Sequence, residues 1–180
     1  MSFVEELHWF PMRITYHREL KIKSCLDNLE IENFLPMRYD MVETAKGSKR
    51  KLVPAIHNLI FVHSSQNTIT ALKMGKKEFD PMRYMTKRVE KGTREIIYVP
   101  DRQMENFIRV ASIQDDTVFF LDPSDYLNKI GKKVRIIAGP FEDVEGVVKR
   151  IKKNKSIVVQ IEGVAAVAIA FVPANYLMLI

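Results

Sequence analysis

The sequence predicts an α+β protein: an amino-terminal antiparallel-sheet α/β sandwich followed by a small all-β barrel. Three observations lead there. Extended runs and amphipathic stretches alternate through residue 112, whereas only short strands with tight turns follow residue 129. Charge divides the chain at the same place. Residues 1–112 carry 19 basic and 14 acidic side chains and residues 129–180 carry 9 and 4, so each block is net +5. Between them, residues 113–128 hold four aspartates and no basic residue, with turn chemistry at Asp122-Pro123-Ser124. The expected organisation is a first domain at 1–112, an acidic linker at 113–128 and a second domain at 129–180.

Each element has its own signal. His8–Tyr16 (HWFPMRITY) is rich in β-formers and reads as a strand. Arg18–Leu29 places Leu20, Ile22, Leu26 and Leu29 near helical spacing with charges between them. Phe34–Thr44 and Lys51–His63 are extended runs joined by a basic tip at Lys46–Lys51, which reads as a hairpin. Asn67–Met74 reads as a short helix stopped by Gly75, and Met82–Met85 and Glu95–Val99 as short strands. Pro100 opens a helix to Ala111 with Met104, Phe107, Ile108 and Ala111 on one face. In the second block, Lys132–Ala138, Gly146–Lys152, Ser156–Ile161, Val164–Val172 and Leu177–Ile180 read as strands. Gly139-Pro140, Lys153-Asn154 and Glu162-Gly163 supply their turns.

Composition excludes several classes. Of 180 residues, 47% are hydrophobic and 28% charged, the balance of a folded globular chain rather than a disordered one. A single cysteine, Cys25, excludes an internal disulfide framework. The first residues carry Glu5 and Glu6 where a signal peptide carries basic residues, and the longest continuous apolar run is Val164–Val172. That run is far short of the roughly 20 residues a membrane helix needs. The expectation is a cytoplasmic, monomeric protein with no membrane partner.

No Gly-rich phosphate loop, Ser-His-Asp arrangement or HExxH motif is present. The histidines are His8, His17, His57 and His63. On one extended strand His57 and His63 would share a face about 20 Å apart, too far for one metal. Asp115 and Asp116 are adjacent, so their carboxylates point apart on an extended chain. The chain is therefore read as having no catalytic residues, no cofactor and no metal. Basic clusters occur at Arg18/Lys21/Lys23, Lys46/Lys49/Arg50/Lys51, Lys73/Lys76/Lys77, Lys87/Arg88/Lys91 and Lys149–Lys155. Each reads either as a phosphate contact or as a solvated face. In Ala166–Phe171, alanines alternate with Val167, Ile169 and Phe171. As a strand it offers either a flat, charge-poor docking face or a face of small residues packed within a tight barrel.

Several of these segments resemble the NusG family of transcription factors. Trp9-Phe10 opening a strand, the helix from Arg18, extended Phe34-Leu35-Pro36-Met37, the run Asn58-Leu59-Ile60-Phe61-Val62, and Val99-Pro100 before a helix are similar to its amino-terminal domain. Gly131–Phe141 followed by Gly146-Val147-Val148 resembles a KOW motif, marked by Gly139, Pro140, Phe141 and Gly146. The resemblance implies a NusG-type amino-terminal domain followed by an SH3-like KOW barrel. It also implies an elongation or antitermination factor that binds the RNA polymerase clamp and suppresses pausing. The divergence resembles specialised paralogues, such as the antiterminators of capsule polysaccharide loci (UpxY-type) and RfaH. The polymerase-binding residues it implies are Arg13, Leu59, Phe61 and Tyr84. Contact with the non-template DNA strand falls to His17, Arg18 and Lys21, with the basic hairpin Lys49, Arg50 and Lys51 as further nucleic-acid contacts. The KOW domain would recruit a ribosomal protein or a termination factor. The rival reading is a KOW-type RNA-binding module of the ribosomal kind, using Lys149–Lys155. This sequence departs from the family at His57-Asn58-Leu59, where relatives carry Pro-Gly-Tyr, and at Arg13, where they carry an aromatic or apolar side chain.

Overall fold

The computed structural model describes residues 5–180. Residues 1–4, where the expected first domain begins, and the side chain of Lys91 lie outside the described residues. In chain order the elements are β1 (His8–Ile14), α1 (Glu19–Asn28), β2 (Asn33–Phe34), β3 (Met37–Thr44), β4 (Gly47–Pro54), β5 (Leu59–Ser64) and α2 (Gln66–Gly75). Then follow β6 (Met82–Tyr84), β7 (Thr86–Arg88), β8 (Arg94–Ile96), α3 (Asp101–Ala111), β9 (Val118–Phe120) and α4 (Pro123–Tyr126). The last strands are β10 (Lys132–Ile136), β11 (Glu145–Ile151), β12 (Asn154–Ile161), β13 (Ala165–Ala170) and β14 (Leu177–Leu179).

Contacts divide the chain into two units. One comprises the described residues of Met1–Pro36 and Ile56–Asp101; the other comprises Met37–Ala55 and Arg102–Ile180. The hairpin β3–β4 and nearly all of α3 thus group with the carboxy-terminal strands, a different division from the one expected at residue 112.

The first unit holds an antiparallel sheet in the order β2-β5-β1-β6. On β1, Phe10, Met12 and Ile14 are buried on one face; on the other, Trp9 and Pro11 are buried and Arg13 is exposed. β5 is buried at Leu59, Ile60, Phe61 and Val62, the continuous apolar run of a strand covered on both faces. α1 packs on β5 and β2 and buries Ile22 and Leu26 completely. Each such side chain contributes roughly 1.5–3 kcal/mol on leaving water. α1 ends in a two-bond closure: Ile31 N donates to Leu26 O at 3.0 Å and Glu30 N to Asp27 O at 3.0 Å. Glu30 holds the left-handed position, φ 55°, that glycine usually fills. α2 begins at Ser65, whose hydroxyl accepts from Thr68 N at 3.1 Å, a serine N-cap.

The expected extended run Lys51–His63 is two strands. The chain turns at Ala55–Asn58, with Asn58 at φ 61°, between β4 and β5. His57 therefore lies in a connection and His63 on β5, and the two do not share a strand.

The second unit contains a six-stranded sheet in the order β14-β10-β11-β12-β13-β9, every pairing antiparallel. β11 and β12 are joined by Lys152-Lys153, both at positive φ (45° and 74°), the backbone of a two-residue hairpin turn. The hairpin β3–β4 pairs from Met37↔Pro54 to Thr44↔Gly47 as a separate two-stranded sheet.

The acidic segment 113–128 is built into this unit. β9 pairs with β13 through Val118↔Ile169, Phe119↔Ala168 and Phe120↔Val167. Three of its four aspartates cap turns. The Asp115 carboxylate accepts from Thr117 N at 2.7 Å and from the Thr117 hydroxyl, which holds its pKa below the ordinary value. Asp122 and Asp125 form a reciprocal capping box at the start of α4. The alanine face of β13 is covered too. Ala166 and Ala168 are fully buried and pack with Leu121, Tyr126, Ile151 and Val158, with Phe119 against the cluster. The docking-face reading of these alanines does not hold: they are small because two aromatic rings and a leucine from the acidic segment occupy the space above them.

Candidate functional site

Arg13 is exposed on β1, directly opposite Leu59 of β5 on one side and Arg83 of β6 on the other. Directly opposite residues project from the same face, so two guanidinium-bearing side chains leave this face together. Arg83 is itself exposed and donates to Met82 O at 2.8 Å. The pair forms a cationic surface suited to a carboxylate-bearing partner.

Tyr84, the next residue on β6, is directly opposite Met12, so it projects from the other face of the sheet, where it is half-buried. Its hydroxyl shares a hydrogen bond with Thr70 Oγ1 at 2.9 Å and donates to Gln66 O at 3.1 Å, tying β6 to α2. Its ring meets Phe10 edge-on at 5.9 Å, and Lys73 Nζ lies 4.5 Å from its centroid. Burial pushes the Tyr84 phenol up. It also lowers the Lys73 ammonium, with the nearby Arg83 charge adding to the effect.

Leu59 and Phe61 depart from expectation. They are 4% and 0% exposed, so they are core residues and offer no surface for docking. The physical reason is that β5 is central, flanked by β1 and β2 and packed by α1, and an apolar residue there is covered on either face.

His17, Arg18 and Lys21 are all exposed at the start of α1. His17 and Tyr16 hold positive φ (50° and 63°), and the Arg18 guanidinium lies 5.9 Å from the Tyr16 ring centroid. Lys49, Arg50 and Lys51 are exposed on β4. Arg50 stacks its guanidinium 4.5 Å from the Tyr39 ring centroid across the hairpin, which fixes it at a modest gain of about 0.5–1 kcal/mol. Lys149–Lys155 is not a continuous basic patch. Lys149 is 7% exposed, with its Nζ donating to Tyr126 O at 3.0 Å and Gln160 Oε1 at 3.3 Å. Arg150, Lys152, Lys153 and Lys155 remain exposed.

The KOW residues have structural work. Gly139 takes φ 88° in the turn after β10, and Phe141 is buried. Gly146 lies on β11 opposite Val134, where a Cβ would come within 2.7 Å of Ile157 Cγ2 and 2.9 Å of the Val158 carbonyl oxygen.

Sequence reasoning missed one cluster. His17, Glu19 and His57 bring a ligand atom each within 4.8 Å of one another. The turn at Ala55–Asn58 places them so, and its only sequence signals are Pro54 and Asn58. Among the described residues no helix is long and apolar enough to cross a membrane.

The first unit presents an exposed arginine pair, and the second carries a six-stranded antiparallel sheet with a Gly-Pro-Phe turn. Comparison with known families makes this specific. A profile described as transcription termination factor NusG matches residues 7–108, and the KOW motif profile matches residues 130–161. The chain belongs to the NusG family, whose members are factors of transcription elongation and termination that interact with RNA polymerase. Among solved structures, NusG of Thermotoga maritima is similar at 17% identity over 96% of each chain, with a TM-score of 0.46. No curated protein matches.

Proposed function

We propose that this chain is a specialised antitermination factor. It docks on the RNA polymerase clamp and suppresses pausing or termination at particular operons, such as polysaccharide biosynthesis loci. The observation that carries this is the succession on one chain of the NusG profile at 7–108 and the KOW motif at 130–161. The specialisation rests on the departures at Arg13 and at His57-Asn58-Leu59.

The exposed pair Arg13 and Arg83 makes the polymerase contact, Tyr84 supports it from the opposite face by tying β6 to α2, and the buried Leu59 and Phe61 hold β5 in place next to β1. The exposed His17, Arg18 and Lys21 track the non-template DNA strand. Lys49, Arg50 and Lys51 add phosphate contacts. The KOW unit recruits a ribosomal protein or a termination factor, and the protein acts as a monomer. No bond is made or broken. A factor that binds the processive polymerase more tightly than the paused one shifts the balance by that difference, tenfold for about 1.4 kcal/mol. The RNA-binding alternative is less well supported, because burial of Lys149 removes a member of the basic cluster it needs.

The test is co-purification of the full chain with RNA polymerase, alongside a pausing assay. The wild type is expected to bind and to shorten pauses, and the double variant Arg13→Glu/Arg83→Glu to lose both while remaining folded. No binding by the wild type, or undiminished binding by the double variant, overturns the reading.

A further inference from the structure

We infer that His17, Glu19 and His57 form a site for a divalent transition metal of the zinc class. The three residues belong to one unit and come from two segments, the entry to α1 and the turn between β4 and β5. Their ligand atoms lie within 4.8 Å of one another. Tetrahedral zinc with bonds near 2.0–2.1 Å spaces its donors roughly 3.3 Å apart, so a rotation of two imidazoles closes the gap. Both histidines are exposed and have room to rotate. Their rings already approach at 5.9 Å between centroids and 87° between planes, which aims two imidazoles toward a common point from different directions.

Glu19 supplies the second, independent reason. Its side chain is buried, 3% exposed, although it is a carboxylate on the first turn of a helix. One oxygen, Oε1, accepts from Asn58 N at 2.6 Å, and among the described residues no hydrogen bond holds Oε2. Oε2 is not among the buried side-chain atoms that lack a partner, so it keeps access to solvent and can reach a cation beside the two imidazoles. The Asn58 bond also orients the carboxylate, as outer-sphere hydrogen bonds do for metal ligands. Asn58 holds φ 61° and His17 φ 50°, so both segments adopt the backbone that brings the donors together.

Two imidazoles and one carboxylate favour zinc, cobalt, nickel or copper over magnesium or calcium, which prefer all-oxygen shells. Three protein donors leave a fourth position for water or an exogenous oxygen ligand. The bound ion would clamp the start of α1 to the β4–β5 turn. This inference shares His17 with the proposed DNA contact, and its test is read from metal binding alone.

The test is titration of the full, metal-free chain with Co²⁺ and then Zn²⁺, read by visible absorption and calorimetry. One equivalent is expected, with the intense bands of tetrahedral cobalt, displaced by zinc. His17→Ala/His57→Ala should weaken binding at least roughly 100-fold. Glu19→Gln, which keeps an acceptor for Asn58 N, should weaken it too. His8→Ala/His63→Ala should bind as the wild type does. Absence of stoichiometric binding, an octahedral cobalt spectrum, or equal binding by the His17/His57 double variant overturns the proposal. So does loss of binding in the His8/His63 control.

Discussion

The ammonium of Lys149 on β11 donates to the backbone carbonyl of Tyr126 in α4 at 3.0 Å. This bond ties the acidic segment to the sheet. The Tyr126 ring, 5.8 Å from the same ammonium, packs with the alanines of β13. Burial lowers the Lys149 pKa, and the nearby Lys129 charge lowers it further.

Lys149→Met keeps the aliphatic stem and removes the donor, leaving the Tyr126 carbonyl and Gln160 unpaired. The variant is expected to lose about 1 kcal/mol at neutral pH by urea denaturation. Because the folded pKa is depressed, the unfolded chain binds more protons as pH rises from the folded value toward 10.5. Wild-type stability should therefore gain on that of Lys149→Met over this range. A wild-type advantage that shrinks with pH would contradict the assignment.

Ala168→Leu tests the covered face of β13. Ala168 has no exposed surface and pairs with Phe119, so three extra carbons have no space. A loss of about 1–3 kcal/mol is expected. If the acidic segment were a free tether, the leucine would be tolerated and denaturation midpoints would coincide.

These two sites mark where the sequence stopped being legible. The β strands of the second block and the Gly-Pro-Phe turn are written locally, in apolar runs punctuated by turn residues. What covers β13 is not, because Val118-Phe119-Phe120 is too short to declare a partner and its flanking aspartates read equally as linker. Asp115, Asp122 and Asp125 cap turns, a use that charge counting cannot see. The apolar run Leu59–Val62 identified a strand, but its depth came from β1, β2 and α1, which the run itself does not encode. The His17–Glu19–His57 cluster depends on a turn that divides an otherwise uniform extended run. A short interruption there moved His57 off the strand shared with His63 and toward α1.

Phe61→Ala separates packing from docking. Phe61 is fully buried, so truncation leaves a cavity and should cost about 3–5 kcal/mol. Any polymerase-binding defect in this variant should follow the fraction unfolded, and ought to recover at lower temperature. Arg13→Glu, by contrast, should change stability by less than about 0.5 kcal/mol. Equal thermal midpoints for Phe61→Ala and wild type would remove Phe61 from the core.

Glu145 reports on acid stability. Arg135 donates to its Oε1 through Nε at 3.2 Å and a terminal nitrogen at 2.7 Å, with Arg102 3.7 Å away. The Arg135 hydrogen bond is the main reason its pKa falls below the ordinary 4.5. A carboxylate with a depressed folded pKa contributes stability above its unfolded value and loses it as pH falls through the folded one. Arg135→Met should thus cost up to about 1 kcal/mol at pH 7 in low salt. The difference from wild type should shrink as pH falls below 4.5 and vanish once Glu145 is protonated in the folded chain. A difference that persists unchanged in acid would assign the effect to packing of the arginine stem.

Gly146→Ala is the sharpest test of the KOW strand. The added methyl would sit 2.7 Å from Ile157 Cγ2, which can rotate, and 2.9 Å from the Val158 carbonyl oxygen, which cannot move without shifting β12. Gly146 lies between β10 and β12 in the sheet, so that shift propagates into both ladders. A loss of about 1–3 kcal/mol is expected. In hydrogen exchange, protection should fall along β11 and β12 while the β1–β5 amides keep theirs. Alanine without penalty would mean that β11 and β12 are spaced more widely at this point than the register requires.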